Sequence, residues 1–242
     1  METFPDGYRA AVWGASGGIG AAFTALLEKD PRCGELTALS TRAFSSGGKA
    51  RGVQYDAKEV GSIREAAEVS CANGPLHLVI VAIGTLHSDG YSPEKALRQL
   101  EPEAFLEVMR VNALLPALIG QASIPHLDKE KSVFAALSAR VGSISDNGLG
   151  GWHSYRASKA ALNMLIKNMA IETKRRAPQS MIVGLHPGTV DTALSEPFQG
   201  NVPHGKLFSP EKSASSMLGV IDQLSADDTG LCFDYAGQQI MP

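Results

Sequence analysis

The feature that most constrains this chain is an alternation. Short apolar runs are each followed by a longer stretch whose apolar residues recur at helical spacing. The run LHLVIVAIG (76–84) is too apolar for a half-exposed strand and reads as a central parallel strand buried on both faces. Around it RAAVWG (9–14), ELTALST (35–41), GVQYDA (52–57), SVFAALSA (132–139), SMIVGLHPG (180–188) and LCFDYA (231–236) read as strands. Helices are expected over 18–30, stopped by Pro31, and over 60–72, 101–124 and 153–176. That order predicts an α/β fold, a doubly wound, mainly parallel sheet of about seven strands with helices on both faces. No repeat, low-complexity tract or linker interrupts it, so residues 1–242 are expected to form a single domain.

Composition excludes several functions. Net charge is −3 and the 22 basic residues are scattered, which is no footprint for nucleic acid. Cys33, Cys71 and Cys232 are far apart and in no CxxC spacing, as expected of free thiols in a reducing compartment. METFPDGYRA has neither the basic nor the apolar region of a secretory signal, and no apolar stretch reaches the ~18 residues of a membrane span. The six histidines form no HExxH-like pair, and no metal site is expected. The expectation is a soluble cytoplasmic protein that binds neither nucleic acid nor membrane.

VWGASGGIGAAF (12–23) crowds Gly14, Gly17, Gly18 and Gly20 into the first strand-to-helix turn. Glycine there serves a tight bend, close approach of backbone to a pyrophosphate, and packing of helix on strand. The helix N-terminus adds free N–H groups and a positive dipole end. A site for NAD usually has an acidic residue about 20 residues further on. Here strand two ends in LSTRAFSS, with no Asp or Glu from Leu36 to Ser46. Arg42 takes that place beside Ser40 and Thr41, a guanidinium and hydroxyls suited to a 2′-phosphate. The cofactor expected is therefore NADP(H).

SYRASKAALNMLIK carries Tyr155 and Lys159 on one helical face, directly after strand five. An ammonium beside a phenol favours phenolate and draws its pKa down toward working pH, so the tyrosine can exchange a proton with a carbonyl or an alcohol. YSPEK repeats the spacing with Tyr91 and Lys95, but Pro93 falls between them in a loop-like stretch, and this is a chance match.

The glycine turn, Asn112 in VMRVNALLPAL, the serine-bearing end of strand five, YxxxK and HPGTVDT occur in the order of the short-chain dehydrogenase/reductase family. The chain resembles that family over essentially its whole length. LSARVGSISDNGLGGWHSYRASKAALN looks most like the subgroup of C-factor and sniffer-type carbonyl reductases. The resemblance implies a Rossmann-type sheet, Tyr155 as general acid/base, Lys159 bonding the nicotinamide ribose, and Asn112 bending its helix and holding a relay water. It also implies a cofactor cradle of Gly14, Ser16, Gly17, Gly18, Ile19, Gly20, Ser40, Thr41 and Arg42, with Asp56, Ala82 and Gly84 toward the adenosine. Pro187, Gly188, Val190 and Thr192 lie along the nicotinamide, and 193–209 is the substrate lid. A homodimer or homotetramer is usual in such proteins. Bland competitors accompany these roles: a helix-surface amide for Asn112, a solvated turn carboxylate for Asp56, a helix cap for Thr192. His153 is expected at the rim, and Trp152 at the pocket mouth or an interface.

Three departures stand out. Trp13 occupies a position that is usually Thr or Ser, and VAIG (81–84) replaces the family's NNAG. Counting back from Gly142, the usual catalytic serine falls on Ala139. The carbonyl-orienting hydroxyl is then Ser138, Ser143 or absent, and strand alternation aims Ser138 away. Two readings follow: an NADP(H)-dependent oxidoreductase acting on an aldehyde, a ketone or the corresponding alcohol, and a cofactor-binding regulatory or signalling protein with weak or no turnover.

Overall fold

The computed structural model describes all residues except 44–47, 202 and 204. β1 (Tyr8–Trp13) leads through the glycine turn into α1 (Gly18–Lys29), followed by β2 (Cys33–Ser40), β3 (Ala50–Gln54), α2 (Val60–Ser70) and β4 (Leu78–Val81). Next come α3 (Pro102–Met109), a π-helical turn (Arg110–Leu114), α4 (Leu115–Ser123), β5 (Ser132–Leu137), α5 (His153–Lys174) and β6 (Ser180–His186). The short strands β7 (Thr189–Val190) and β8 (Leu207–Phe208) pair with each other, and α6 (Pro210–Gln223) precedes β9 (Cys232–Asp234).

Seven strands make one sheet in the order β3-β2-β1-β4-β5-β6-β9, each neighbouring pair parallel. Winding reverses between β1 and β4, and the crevice at their carboxyl ends is where such sheets bind ligands. Strand alternation divides the core. Val12, Ile80 and Ala135 pack with Phe23 and Leu27 of α1 and Met217 and Ile221 of α6. Trp13, Val81 and Phe134 pack with Ile63 of α2, Ile119 of α4 and Leu162 and Ile166 of α5. Each large apolar side chain so buried contributes about 1.5–3 kcal/mol. A slip of one residue would turn a whole set to the wrong layer.

The structure differs from the sequence reading in two places. β4 ends at Val81 rather than at Gly84. An apolar run reports burial, not pairing, and the segment after Val81 leaves the ladder to pass against Gly14. The helices expected over 101–124 are α3 and α4, and a π-helical turn containing Asn112 joins them. Pro116 has no N–H to return to Asn112, so the regular bonding pattern cannot run through that point. α6 lies where no helix was expected. Its start signal is nonetheless present: Pro210 opens the helix and Ser209 Oγ accepts from Lys212 N at 3.2 Å.

The segment expected as a lid, 193–209, includes residues 202 and 204, which lie outside the described residues. Its described part holds a 3-10 segment, Glu196–Asn201, and β8. Among the described residues no helix is long and apolar enough to cross a membrane.

Candidate active site

The glycines after β1 answer to space. Gly14 has φ +84°, and a Cβ there would stand 2.5 Å from Ala82 O. A Cβ on Gly20 would overlap Gly14 O, and one on Gly18 would sit 2.6 Å from Thr192 Cγ2. Gly17 is the N-cap of α1; no side chain caps the helix and its first turn holds no acidic residue. The leading N–H groups therefore have no side-chain acceptor and face the crevice with the dipole's positive end. This uncapped turn fits a pyrophosphate.

Ser16, Ser40 and Arg42 converge at the adenosine end. Ser40 Oγ donates to Ser16 Oγ at 2.6 Å and accepts from Arg42 N at 3.1 Å. The exposed Arg42 guanidinium reaches Ser16 O at 3.4 Å. Thr41 and Asp56 border a separate depression of about 550 Å³ beside Arg110. Asp56 Oδ1 accepts from Lys58 N at 2.8 Å, so much of its hydrogen bonding closes its own turn. Trp13 is fully buried edge-on to Tyr55, and its Nε1 has no partner among the described residues.

Asn112 lies fully buried inside the π-helical turn. Its Oδ1 accepts from Thr85 N at 2.7 Å, and its Nδ2 donates to Thr85 O at 2.8 Å and to Ser158 Oγ at 3.0 Å. Both amide hydrogens are committed, which leaves one acceptor lone pair for water. The side chain clamps the segment after β4 to α5, a structural task that VAIG retains without the asparagines of NNAG. Gly84 keeps this junction open: a Cβ there would be 3.4 Å from Asn112 Oδ1 and 3.6 Å from Lys159 Nζ.

Tyr155 stands in the first turn of α5. Trp152, just before it, adopts a left-handed conformation with φ +49°. Glu94 holds this corner: its carbonyl accepts from Trp152 N at 2.5 Å, and its carboxylate from Ser154 N at 3.2 Å and from Ser154 Oγ. A carboxylate at a helix N-terminus is favourably placed in the dipole's field. Nothing in the sequence marks Glu94, because the cap comes from a loop remote in the chain. Tyr91 of the same YSPEK segment pairs with Thr85 Oγ1 at 2.7 Å. The segment buttresses the start of α5 and the loop after β4.

Behind Tyr155, Lys159 is buried and its Nζ donates to Leu137 O at 2.8 Å, with the tyrosine ring centroid 5.8 Å away. Gly142 permits this approach, since a Cβ there would be 2.8 Å from the Lys159 carbonyl carbon. Burial pushes the Tyr155 phenol up to about 12 and the Lys159 ammonium down to about 8. The spacing alone suggests a depressed tyrosine. In the folded protein the cost of burying phenolate prevails, because the ammonium points at a backbone carbonyl. Burial thus favours the neutral phenol of Tyr155.

Tyr155 borders a cavity of about 230 Å³ shared with Ile19, Ala139, Trp152, Pro187, Val190 and Thr192. Leu86, Leu194 and Phe198 add apolar wall, and an aromatic series runs from His87 through Phe198 and Trp152 to Tyr155 at centroid spacings of 5.7, 5.3 and 6.1 Å. His153 is not among the residues that line this space, whereas His186 is. Gly188, with φ +77°, carries the chain past Phe208, whose ring would lie 2.8 Å from a Cβ. A larger depression of about 1080 Å³, around His77 and Lys131, lies at the starts of β4 and β5 and contains none of these groups. Ligands bind such sheets at the carboxyl ends, so the smaller cavity is the candidate site.

The three hydroxyl positions separate. Ala139 and Ser138 both line the cavity, so strand alternation alone does not turn Ser138 away from it. Ser138 Oγ donates to Asn163 Oδ1 on α5 at 2.6 Å. Ser143 is buried in its own turn, accepting from Asp146 N at 3.1 Å, and is not a residue of the cavity wall.

A parallel sheet wound about a glycine-rich phosphate cradle, with a Tyr–Lys pair at its carboxyl edge, defines a dinucleotide-binding oxidoreductase architecture. The chain belongs to the short-chain dehydrogenase family, whose model matches residues 9–202. It is 33% identical over 147 residues to C-signal of Myxococcus xanthus, a match covering 60% of this chain and 82% of that one. Its fold is similar to NADPH-bound carbonyl reductase from chicken fatty liver, with TM-score 0.83, 25% identity and coverage of 97% and 98%. The carbonyl reductase Sniffer of D. melanogaster shares the fold at TM-score 0.82 and 18% identity, covering 99% of this chain and 100% of that one. Proteins of this family use nicotinamide cofactors.

Proposed function

We propose that this protein is an NADP(H)-dependent oxidoreductase that reduces an aldehyde or ketone. The observation that carries this reading is Tyr155, with Lys159 one helical turn on, at the wall of a cavity continuous with the residues expected along the nicotinamide. Arg42 with Ser16 and Ser40 supports a 2′-phosphate, since the guanidinium reaches the carbonyl and hydroxyl of Ser16, the Arg42 N–H meets the Ser40 hydroxyl, and no carboxylate is among its partners in the described residues.

The chemistry a bound NADPH would supply is a hydride for the carbonyl carbon. Tyr155 donates its phenolic proton to the carbonyl oxygen, so the product is the alcohol, and the phenolate regains its proton from solvent. Lys159 stabilises that phenolate electrostatically and offers its remaining N–H groups to the cofactor ribose. The uncapped first turn of α1 would hold the pyrophosphate, and Val190 and Thr192 would border the nicotinamide. The apolar wall excludes water from the reacting carbon.

A second reading, a cofactor-binding regulatory protein with weak turnover, draws support from Ala139, which removes a hydroxyl from the cavity. Following NADPH absorbance with a panel of carbonyl compounds, benzaldehyde included, separates the two. The oxidoreductase reading expects saturable turnover at neutral pH that falls above about pH 8, as Lys159 loses its proton. No turnover of any member would leave the regulatory reading standing.

A further inference from the structure

We infer that His186 supplies the hydrogen bond to the substrate's carbonyl oxygen that a serine hydroxyl would otherwise give beside Tyr155. This rests on the oxidoreductase reading above.

A carbonyl gaining electrons needs a donor besides the proton-transferring acid, placed where negative charge develops. The hydroxyls that sequence suggests for this work are engaged elsewhere. Ser138 is held by Asn163, whose Oδ1 also accepts from Cys232 Sγ at 3.3 Å. Ser143 is tied into its own turn, 3.3 Å from Ser145 Oγ. Ala139 has no hydroxyl.

His186 is the last residue of β6 and lies alongside the end of β5, where Ser138 N donates to Leu185 O at 2.8 Å. Its imidazole shares the cavity wall with Tyr155 and Ala139. Nδ1 is buried and has no hydrogen-bond partner among the described residues. Burial, reinforced by Arg140, holds the ring's pKa down at about 4 and keeps it neutral, although Asp234 acts in the other direction. Asp234 is itself bound by Arg140 at 2.9 Å. A neutral imidazole carries one N–H. On Nδ1 that N–H would be a buried donor with no acceptor, so the favoured tautomer keeps it on Nε2. Neutrality also spares Lys159 a like charge and leaves Tyr155 as the acid of the site. The chain thus replaces a lost hydroxyl with an imidazole from the neighbouring strand.

The test titrates benzaldehyde calorimetrically into the protein–NADP⁺ complex and, in parallel, follows NADPH consumption. His186→Phe keeps an aromatic ring and removes the donor. It should weaken benzaldehyde binding by up to about tenfold and lower kcat/KM by about 10²-fold, with NADP⁺ affinity unchanged. His186→Gln, which retains an N–H, should recover much of the loss. Ala139→Ser should rescue the Phe variant yet leave the wild type little changed, because the two donors serve one oxygen. If the Phe variant fails to bind NADP⁺, and so has not folded, His186→Ala carries the same comparison. A Phe or Ala variant equal to wild type in both measurements overturns the inference, as does an equal gain from Ala139→Ser in both backgrounds. Benzaldehyde binding that depends on His186 without any reduction would sustain the hydrogen bond and sink the oxidoreductase reading. No binding to the wild-type complex would sink the inference itself.

Discussion

The two halves of the site are made of different material. On the β1–α1 side the protein offers backbone: Gly14, Gly18 and Gly20 clear the way, and in each case the space of a Cβ is already taken by Ala82, Thr192 or Gly14 itself. On the β5–α5 side it offers side chains, namely Tyr155 and Lys159, with His186 at the end of the adjoining strand. A backbone cradle tolerates almost no substitution, because an added Cβ meets main chain at Gly14 and Gly20 and the Thr192 side chain at Gly18. A side-chain site tolerates replacement as long as one group with the right chemistry remains. Ala139 and Trp13 are therefore compatible with the same fold, whereas Gly20 has no substitute.

That contrast can be broken at either end. The largest expected effect is from Tyr155→Phe, which keeps the ring against Trp152 but deletes the proton donor. General acid catalysis is worth about 10²–10⁴-fold, so kcat should fall by at least about 10²-fold while NADPH affinity stays near wild type. Normal turnover by this variant would show that the side-chain half is not where the chemistry lies. Next comes Arg42→Asp at the edge of the backbone half. A charge-assisted contact is worth about 1.5–3 kcal/mol, which predicts at least a tenfold preference for NADPH over NADH in wild type and its reversal in the variant. Equal affinities in both proteins, read by fluorescence titration, would remove the 2′-phosphate assignment. The smallest effects belong to the serines. Ser138→Ala loses the bond to Asn163 and Ser143→Ala the bond from Asp146 N, so each should cost about 0.5–1.5 kcal/mol of stability, with kcat/KM close to wild type. A large loss of kcat/KM in the Ser143 variant, at unchanged melting temperature, would return the carbonyl-orienting role to that loop.

Much of the fold was legible because local rules and global packing agree along most of the chain. The seven strand segments, the glycine turn and α5 carry their own periodicity and punctuation. α6 was also legible in principle, since Ser209, Pro210 and the spacing of Ala214, Met217 and Ile221 are plain local signals. The break in 102–123 was less so. Pro116 hints at it, but the clamp between Asn112 and Thr85 joins elements that only the folded sheet brings together. Tyr155 and Lys159 could be located in the sequence as a pair, yet the direction of their pKa shifts could not. Those depend on how deeply each group is buried and on which carbonyl the ammonium meets.

The sequence by itself determined the winding of the sheet, the phosphate cradle and the identity of the Tyr–Lys pair. These follow from periodicity, from glycine's missing Cβ and from spacing along one helix, all local properties of the chain. Only the tertiary structure decided that Glu94 caps α5, that Asn163 holds Ser138, and that His186, its Nδ1 without a partner among the described residues, lines one cavity with Tyr155 and Ala139. These relations join residues far apart in sequence. Their free energy comes from burial and from hydrogen bonds that exist only once neighbouring strands and α5 have packed, and no local pattern encodes them.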